Sequence, residues 1–373
     1  MGKTIQLGKI FGIPFRLDYS WFIIFFIVTV ALSLSYFPSS YPLWDPAYYW
    51  IVGIATSLLF FASVVAHELA HSAVGIRGGI PVKSITLFIF GGVAHIAREA
   101  THPTTELRMA SAGPLSSVAL AAIFYGISWL SSGYNEYLTA LTGWLFMINA
   151  ALAAFNMIPG FPLDGGRVLR SIVWLFTGNY MRATRIATMA GYGVSYLFIL
   201  GGIMIFIIFG LLLNGLWLVF IGWFLNNATK MSYRQTMVRE ALRGFTARDV
   251  MSRDCPLVPR NITIRELVQG QLMLTTSQCF LVTEGEKVEG LLTLRQIREV
   301  PREYWDITTV GQAMTPVEKL KAVQPSEEAI SILERMDEEN LNQVTVVGEG
   351  RFLGMILRDN LIRFAHRLSE LRT

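Results

Sequence analysis

The 373-residue sequence predicts a polytopic α-helical membrane domain followed by a separate α/β domain. Charge is distributed unevenly, because residues 1–226 carry 11 Lys and Arg and 7 Asp and Glu, whereas residues 227–373 carry 20 of each sign. The first part also contains a series of apolar segments, and the second part contains a repeat. A charge-poor part and a charge-rich part are typical of a membrane region and a water-soluble module, respectively. The sequence shows no basic stripe, which argues against nucleic-acid binding.

Six apolar segments of the first part are candidates to cross the hydrocarbon core of a bilayer, which takes about 20 residues. They cover approximately 19–37, 49–76, 109–130, 137–158, 186–208 and 211–228. Gly210 and the pair Asn214-Gly215 predict a turn between the last two segments. The lipid bilayer is therefore a predicted partner of this chain.

Basic residues alternate between the loops that join these segments. Lys or Arg occurs before the first segment, in 77–108, in 159–185 and after the last segment, but in none of 38–48, 131–136 and 209–215. Cytoplasmic loops carry an excess of Lys and Arg. The pattern predicts a multi-pass protein of the cell membrane with six crossings and with both termini in the cytoplasm.

The second apolar segment contains the motif His67-Glu68-Leu69-Ala70-His71. On a helix, the two histidines lie on one face, so they can bind a single Zn²⁺ while Glu68 polarises a water molecule. Ionisable groups inside a transmembrane segment cost about 2.5–3.5 kcal/mol each on insertion scales, so they usually serve a function. A soluble metalloprotease helix and a chance match are the alternatives, and the apolar surroundings disfavour the first.

A catalytic zinc site needs at least a third protein ligand and one open position for water. Asp164 is the best candidate, because it lies in 156–166, where two prolines and three glycines interrupt the fourth apolar segment. The second and fourth segments are predicted to end on the same side of the membrane, so Asp164 can reach the depth of His71. The alternative is a loop in which Asp164 only forms a turn.

These motifs resemble those of the site-2 proteases, a family of zinc intramembrane proteases, in the prokaryotic branch that carries a C-terminal pair of CBS domains. The second motif of the family is matched by Asn156, Pro159, Pro162, Leu163, Asp164 and Gly165, and further elements are matched by Phe90-Gly91-Gly92 and Ser111-Ala112-Gly113-Pro114. The resemblance covers essentially the whole chain. It implies that His67, His71 and Asp164 bind one Zn²⁺ and that Asn156 lies near the active site.

Such a site would hydrolyse peptide bonds in or near transmembrane segments of single-span membrane proteins. A bound Zn²⁺ acidifies water, and Glu68 would take the proton and later give it to the leaving amine. Asn156 would support the oxyanion or, alternatively, only form a turn. A helical substrate must unwind first, so the strand-like segment 84–90 is a candidate for strand addition, or else a re-entrant hairpin with a packing role.

The second part contains a repeat with a period of about 63 residues. The segment 246–251 recurs as 309–314, and each copy continues with a helix-like segment, a β-rich segment and a Gly-led strand. This order resembles a tandem CBS pair, a module that often binds adenine nucleotides. The predicted domains are a transmembrane protease domain at 1–228, a linker at 229–245, and CBS domains at 246–307 and 308–373.

ATP, ADP or AMP is the ligand that the CBS resemblance implies, with Thr293 and Asp359 as the contacting residues. Gln296 and Asn360 occupy the position at which the module usually has a ribose-binding Asp. The alternative is a structural or dimerising pair, with a homodimer formed through the CBS domains. Cys255 and Cys279 form no C-x-x-C motif, and a cytoplasmic location predicts free thiols with a packing role.

The predicted function is therefore that of a zinc metalloendopeptidase of the site-2 protease type, acting in regulated intramembrane proteolysis. A CBS-regulated transporter or channel with a structural zinc site would show the same spans, but it would need further charges along a pathway. A non-catalytic zinc-binding scaffold would have no use for Glu68 between the two histidines.

Overall fold

The computed structural model describes residues 4–10, 12–89, 91–96, 100–253, 255–272, 279–285, 287–348 and 351–371. The chain forms two compact units, unit 1 at Met1–Tyr233 and unit 2 at Arg234–Thr373.

Unit 1 is mainly helical. Its helices are α1 (Ser20–Ala31), a π-helical turn (Leu32–Tyr36), α2 (Phe37–Ser40), α3 (Pro46–Arg77), α4 (Pro103–Ser131), α5 (Glu136–Asn156), α6 (Asp164–Thr177) and α7 (Tyr180–Phe209), followed by α8 (Leu212–Leu242), which continues into unit 2. Five stretches of the described chain are long and apolar enough to cross a membrane: Ser20–Ser40, Pro46–Arg77, Pro103–Ser131, Glu136–Asn156 and Tyr180–Phe209. They coincide with the first five predicted spans.

The sixth predicted span, 211–228, lies within α8 except for its first residue. This helix begins after Gly210, which ends α7 in the left-handed conformation (φ 67°) that glycine adopts without strain. The turn therefore lies at Gly210, as predicted, whereas Asn214 and Gly215, which were also predicted to form it, lie within α8. Asn214, Asn226 and Asn227 make this part of α8 more polar than the cores of the other five stretches.

A four-stranded sheet completes unit 1, in the order β1 (Thr4–Ile10), β2 (Ile13–Asp18), β3 (Val82–Phe88) and β4 (Gly91–Ile96). Strands β2 and β3 are parallel, and the other two pairs are antiparallel. Ile13, Phe15 and Leu17 of β2 pack with Ile85 and Leu87 of β3 and with Val64 of α3. The sheet thus lies against α3 one turn before the His-Glu-x-x-His motif.

The sequence predicted only the segment 84–90 as strand-like, so the sheet is larger than expected. Ile13, Phe15 and Leu17 are buried and alternate with more exposed residues, which is the two-residue period of a strand. That signal was present in the sequence but lies directly before a strongly apolar helix. Strand β3 has a neighbour on both sides, whereas β4 forms an edge of the sheet.

Unit 2 contains two similar α/β copies. Its strands are β5 (Leu257–Pro259), β6 (Cys279–Glu284), β7 (Lys287–Thr293), β8 (Thr315–Pro316), β9 (Ala322–Val323), β10 (Gln343–Gly348) and β11 (Arg351–Leu357); its helices are α9 (Ala247–Val250), α10 (Ile264–Leu267) with a π-helical turn (Val268–Leu272), α11 (Leu294–Glu299), α12 (Val310–Ala313), α13 (Ala329–Glu338) and α14 (Arg358–Leu371), with 3-10 turns at Arg302–Tyr304 and Val317–Lys319. The sheets are ordered β5-β6-β7-β8 and β11-β10-β9.

The leading segment of each copy packs against the other copy. Ala247 is buried in the core formed by α13, β10 and β11, and its backbone N–H donates to the Glu327 carbonyl. Val310 is buried in the core of the first copy, and its N–H donates to the Ile262 carbonyl. Each copy therefore supplies a helical turn to the core of the other.

Cys255 and Cys279 form a disulfide bond, with their Cα atoms 5.1 Å apart, so the prediction of free thiols is wrong. The cause is the parallel register of β5 and β6, which aligns Leu257 with Leu281 and thereby places the residues two positions earlier side by side. Such a register cannot be deduced from a 24-residue separation. Both cysteines are buried with Leu291 and Met355, in agreement with the predicted packing role.

Candidate metal centre

Helix α3 presents His67, Glu68 and His71. Asp45 accepts a hydrogen bond from the backbone N–H of Ala47 and so caps the start of this helix, which extends without interruption to Arg77. Both histidines are buried. Helical spacing therefore aims the two imidazoles in one direction, as the motif predicts.

The structure brings three predicted ligands together. Nε2 of His67 and Nε2 of His71 each lie 3.1 Å from Oδ2 of Asp164, and the two Nε2 atoms are 3.2 Å apart. The side chain of Asp164 is only 16% exposed. Among the described residues, these three form the group of metal-ligating side chains whose ligand atoms all lie within 4.8 Å of one another.

The second nitrogen of each imidazole has a partner that orients the ring. Nδ1 of His71 donates to the Met109 carbonyl at 2.7 Å, and Nδ1 of His67 lies 2.9 Å from the Ser117 hydroxyl, which can accept in the same way. A proton on Nδ1 leaves the lone pair of Nε2 free to bind a metal. Two nitrogen donors and one carboxylate, each with its free atom directed to one point, are the donor set of a catalytic zinc site. The residues present thus fit Zn²⁺.

Asp164 is the first residue of α6 and does not lie in the loop that the sequence predicted. A carboxyl group binds a metal in its ionised form, and Oδ2 of Asp164 lies beside both Nε2 atoms, as a third ligand would.

Gly113 explains part of the Gly-Pro element in α4. A Cβ atom at this position would lie 2.1 Å from Nε2 of His71 and 2.5 Å from Nε2 of His67. No side chain larger than hydrogen fits there, so glycine lets α4 approach both imidazoles closely. Pro114 follows inside the helix.

Glu68 contacts the edge strand β4. Its carboxylate accepts a hydrogen bond from the backbone N–H of Ala94, and a Cβ atom on Gly92 would lie 2.5 Å from Cγ of Glu68. The second glycine of the predicted pair thus makes room for the candidate base. Phe90, which precedes that pair in the predicted element, lies outside the described residues.

Asn156 is the last residue of α5 and is partly buried. Among the described residues, no hydrogen bond joins its side chain to the three ligands. Its place eight residues before Asp164 puts it at the start of the turn that leads into α6.

Sequence reasoning missed three groups that surround the centre. Ser117 and the Met109 carbonyl orient the imidazoles, and the buried pair of Glu106 and Arg170 joins α4 to α6. Of these groups, only the ion pair could have been suspected from the sequence, because its two charged residues lie near otherwise apolar segments. A backbone carbonyl leaves no signal in the sequence.

The two nucleotide-site candidates, Thr293 and Asp359, line one cavity of about 580 Å³ between the two copies in unit 2. Thr293 is buried, and its hydroxyl and backbone N–H donate to the side-chain oxygen of Gln296 at 2.8 Å each. The amide of Gln296 donates in turn to the Thr315 hydroxyl. Gln296 therefore caps α11 and is held in place.

Comparison with known families identifies both units. The profile of Peptidase family M50 matches residues 55–137 and 132–202, and the CBS domain profile matches 247–303 and 310–367. The first range includes the His-Glu-x-x-His motif and the second includes Asp164. Both halves of the predicted centre thus lie in the matched region, which favours the peptidase over the transporter alternative.

Relatives extend the match to the whole chain. The Synechocystis sp. protein sll0528, named as a zinc metalloprotease, is 37% identical over 97% of this chain and 96% of its own. Rip3 of Mycobacterium tuberculosis, also named as a zinc metalloprotease, is 31% identical over 99% and 95%. The solved structure of a site-2 protease from Methanocaldococcus jannaschii covers 62% of this chain and 95% of its own, with 31% identity and a TM-score of 0.41. The chain therefore belongs to Peptidase family M50, the zinc metalloproteases of the site-2 protease type, and carries a tandem pair of CBS domains.

Proposed function

We propose that the chain is a membrane endopeptidase that cuts single-span membrane proteins in or near their transmembrane segments and so acts in regulated intramembrane proteolysis. The observation that carries this proposal is the convergence of His67, His71 and Asp164 beside Glu68. Co-production with candidate single-span proteins tests it, because a truncated product should appear with the wild-type chain and not with Glu68→Gln.

When bound, zinc acidifies a water molecule and polarises the carbonyl of the peptide to be cut. Glu68 takes the proton of that water and later delivers it to the leaving amine. The hydrogen bond from Ala94 holds the carboxylate beside the metal ligands. Asn156 donates a hydrogen bond to the carbonyl oxygen as negative charge develops on it.

We propose that the substrate binds as an added strand along β4. A helical segment has its carbonyls engaged in internal hydrogen bonds, so it must be extended before it can be attacked. The proposed site of addition shifts from the segment 84–90 to β4, because β3 already has two neighbours. Ala94 of β4 donates its N–H to Glu68, so a strand paired along β4 would place a peptide bond next to the base.

The proposed topology has six crossings, with both termini in the cytoplasm of a cell-membrane protein. Strands β2 and β3 are neighbours in one sheet, although two apolar stretches, Ser20–Ser40 and Pro46–Arg77, separate them in sequence. Two crossings return the chain to the side on which it started. The loops that carry Lys and Arg would then be cytoplasmic.

Reporter fusions test this topology. Fusions after residues 17, 90, 175 and 235 should report the cytoplasm, and fusions after 43, 133 and 212 should report the other side. Disulfides are rare in a reducing cytosol, so the bond between Cys255 and Cys279 gives the fusion after 235 particular weight. An external signal there would exclude six crossings and would place unit 2 outside the cell.

We propose further that an adenine nucleotide binds in the cavity between the CBS copies and modulates cleavage. Six basic side chains line this cavity, against the two acidic ones of Glu299 and Asp359; the basic ones are those of Arg295, Arg298, Lys319, Lys321, Arg358 and Arg363. Arg295, Lys321 and Arg358 form ion pairs with Glu299, Glu339 and Asp337, and the net positive charge that remains favours a ligand with several phosphates. Gln296 is already hydrogen-bonded to Thr293 and Thr315. We therefore expect its contact with the ribose to contribute less binding free energy than the contacts of the basic side chains with the phosphates.

ATP is expected to bind the full chain about tenfold or more tightly than AMP, because each added phosphate charge meets an excess of Lys and Arg. Titration calorimetry in detergent measures both affinities. Arg298→Ala should reduce the difference between the two affinities, whereas Arg248→Ala, which removes a basic residue outside the cavity lining, should not.

A nucleotide that binds two states of the protease with different affinity should change the rate of cleavage by about 5–150-fold.

The absence of binding heat at millimolar ATP would contradict nucleotide binding. Unit 2 would then be a structural pair or a homodimerisation element, and the proposed peptidase would be unaffected.

A further inference from the structure

A buried ion pair lies beside the metal centre. Nε of Arg170 donates to Oε1 of Glu106 at 2.8 Å, and Nη2 of Arg170 binds the same oxygen. The side chains of Arg170 and Glu106 are only 6% and 1% exposed. Removing two charges from water costs several kcal/mol for each ion, so such a pair is poor evidence of a contribution to stability.

Besides Glu106, Arg170 contacts two aromatic residues. Its Nη1 donates to the hydroxyl of Tyr180 at 2.8 Å, and its guanidinium carbon lies 4.9 Å from the centre of that ring. The same carbon lies 5.0 Å from the centre of the Phe161 ring. Arg170 on α6 thus contacts α4 through Glu106, α7 through Tyr180, and the turn between α5 and α6 through Phe161.

Each side of the pair is close in sequence to a residue of the metal centre. Glu106 is three residues before Met109 in α4, and the Met109 carbonyl accepts the hydrogen bond from Nδ1 of His71. Phe161 is three residues before Asp164, and Arg170 lies in the helix that Asp164 begins. One side of the pair is therefore joined to the part of α4 that orients a histidine, and the other to the segment that carries the carboxylate.

We propose that the pair of Glu106 and Arg170 positions Asp164 relative to His71, and so sets the affinity of the centre for zinc. This inference rests on the proposed metal centre. The turn before α6 contains Pro159, Gly160 and Pro162 and has no regular secondary structure, and its Phe161 backbone is hydrogen-bonded to the Ala187 carbonyl and the Thr229 hydroxyl. The guanidinium adds a contact from this turn, through the Phe161 ring, to Glu106 on α4. Arg suits the role because its planar group holds several partners at once, whereas Lys offers a single point charge.

The test is zinc affinity, measured on the full chain in detergent by competition with a chelator, with the melting temperature recorded in parallel. The variants are Arg170→Met, Arg170→Lys, Glu106→Gln and the double variant Glu106→Gln/Arg170→Met. Glu136→Gln is the matched control, because Glu136 accepts a hydrogen bond from Trp44 at the opposite end of α5 from Asn156.

Arg170→Met and Glu106→Gln are expected to weaken zinc binding about 10–100-fold, the usual cost of removing a group that orients metal ligands. Arg170→Lys should fall between these variants and the wild type, and Glu136→Gln should match the wild type. The double variant removes both buried charges, so it should recover melting temperature but remain weak in zinc binding. A recovered melting temperature without recovered zinc affinity is the result that a positioning role predicts and a purely structural role does not.

Two results would overturn the inference while the metal centre stands. One is an Arg170→Met or Arg170→Lys chain that is folded and binds zinc within twofold of the wild type. The other is a double variant that regains zinc affinity together with melting temperature, since the pair would then only fill space. A wild-type chain that takes up no zinc would overturn both this inference and the metal centre beneath it.

Discussion

The Glu68→Gln chain is expected to retain its zinc and to lose hydrolysis by about 10²–10⁴-fold, the usual contribution of a general base. Glutamine has the shape of glutamate, and its side-chain oxygen can still accept the N–H of Ala94. It cannot accept a proton from water. Because Glu68 is not one of the three converging side chains, its replacement leaves the metal-binding atoms in place.

Zinc content and cleavage of a single-span substrate, measured on the same preparation, check this expectation. Glu136→Gln makes the same chemical change at another glutamate of unit 1 and should cut at the wild-type rate. Cleavage by Glu68→Gln at more than a few percent of the wild-type rate would remove Glu68 as the base. Loss of zinc would instead make Glu68 part of the metal-binding set.

Replacing a metal ligand should reduce zinc binding, whereas Glu68→Gln should not. His67→Ala, His71→Ala and Asp164→Ala are each expected to lower zinc affinity by more than the 10–100-fold cost of losing an outer partner, and to reduce cleavage to background. Each change removes one of three donor atoms that lie 3.1–3.2 Å apart. Zinc content after dialysis against a chelator is the measurement.

His102→Ala is the matched control, because His102 is an exposed histidine of unit 1 that lies outside the centre. It should keep both zinc and activity. An Asp164→Ala chain that remains fully loaded with zinc would show that the third ligand is another residue.

At the metal centre, the sequence predicted the ligands but not all of their structural context. The spacing of His67 and His71 specifies their common face on a helix, whatever the rest of the chain does. Asp164 was a candidate because two apolar segments were predicted to end on the same side. Its place at the start of α6 was not predicted, because Gly165 and Gly166 directly after it are unfavourable in a helix. The later residues of α6, such as Val168 and Ile172, do have helical spacing.

The missed features depend on contacts between distant segments. The sheet joins strands of 4–18 to strands of 82–96, and no local pattern states that they will pair. The disulfide of Cys255 and Cys279 depends on strand register in the same way. The Met109 carbonyl, which orients His71, is a backbone atom and so has no sequence signature at all.

The fold of unit 2 was more accessible, since the repeat showed which segments are equivalent. The predicted strand and helix order of each copy is found at β6, β7 and α11 and again at β10, β11 and α14. The exchange of the leading turns, seen at Ala247 and Val310, could not be deduced, because either copy offers a similar apolar surface for the turn to cover.

Mapping of protein ends in whole membranes tests the central claim most directly, because the substrate need not be identified before the measurement. Membranes from cells that produce the wild-type chain or Glu68→Gln are compared by mass spectrometry of newly formed N-termini. The proposed activity predicts new ends in or near transmembrane segments of single-span proteins with the wild-type chain alone. The same set of ends in both membranes would contradict the claim that this chain cuts membrane proteins with Glu68 as its base.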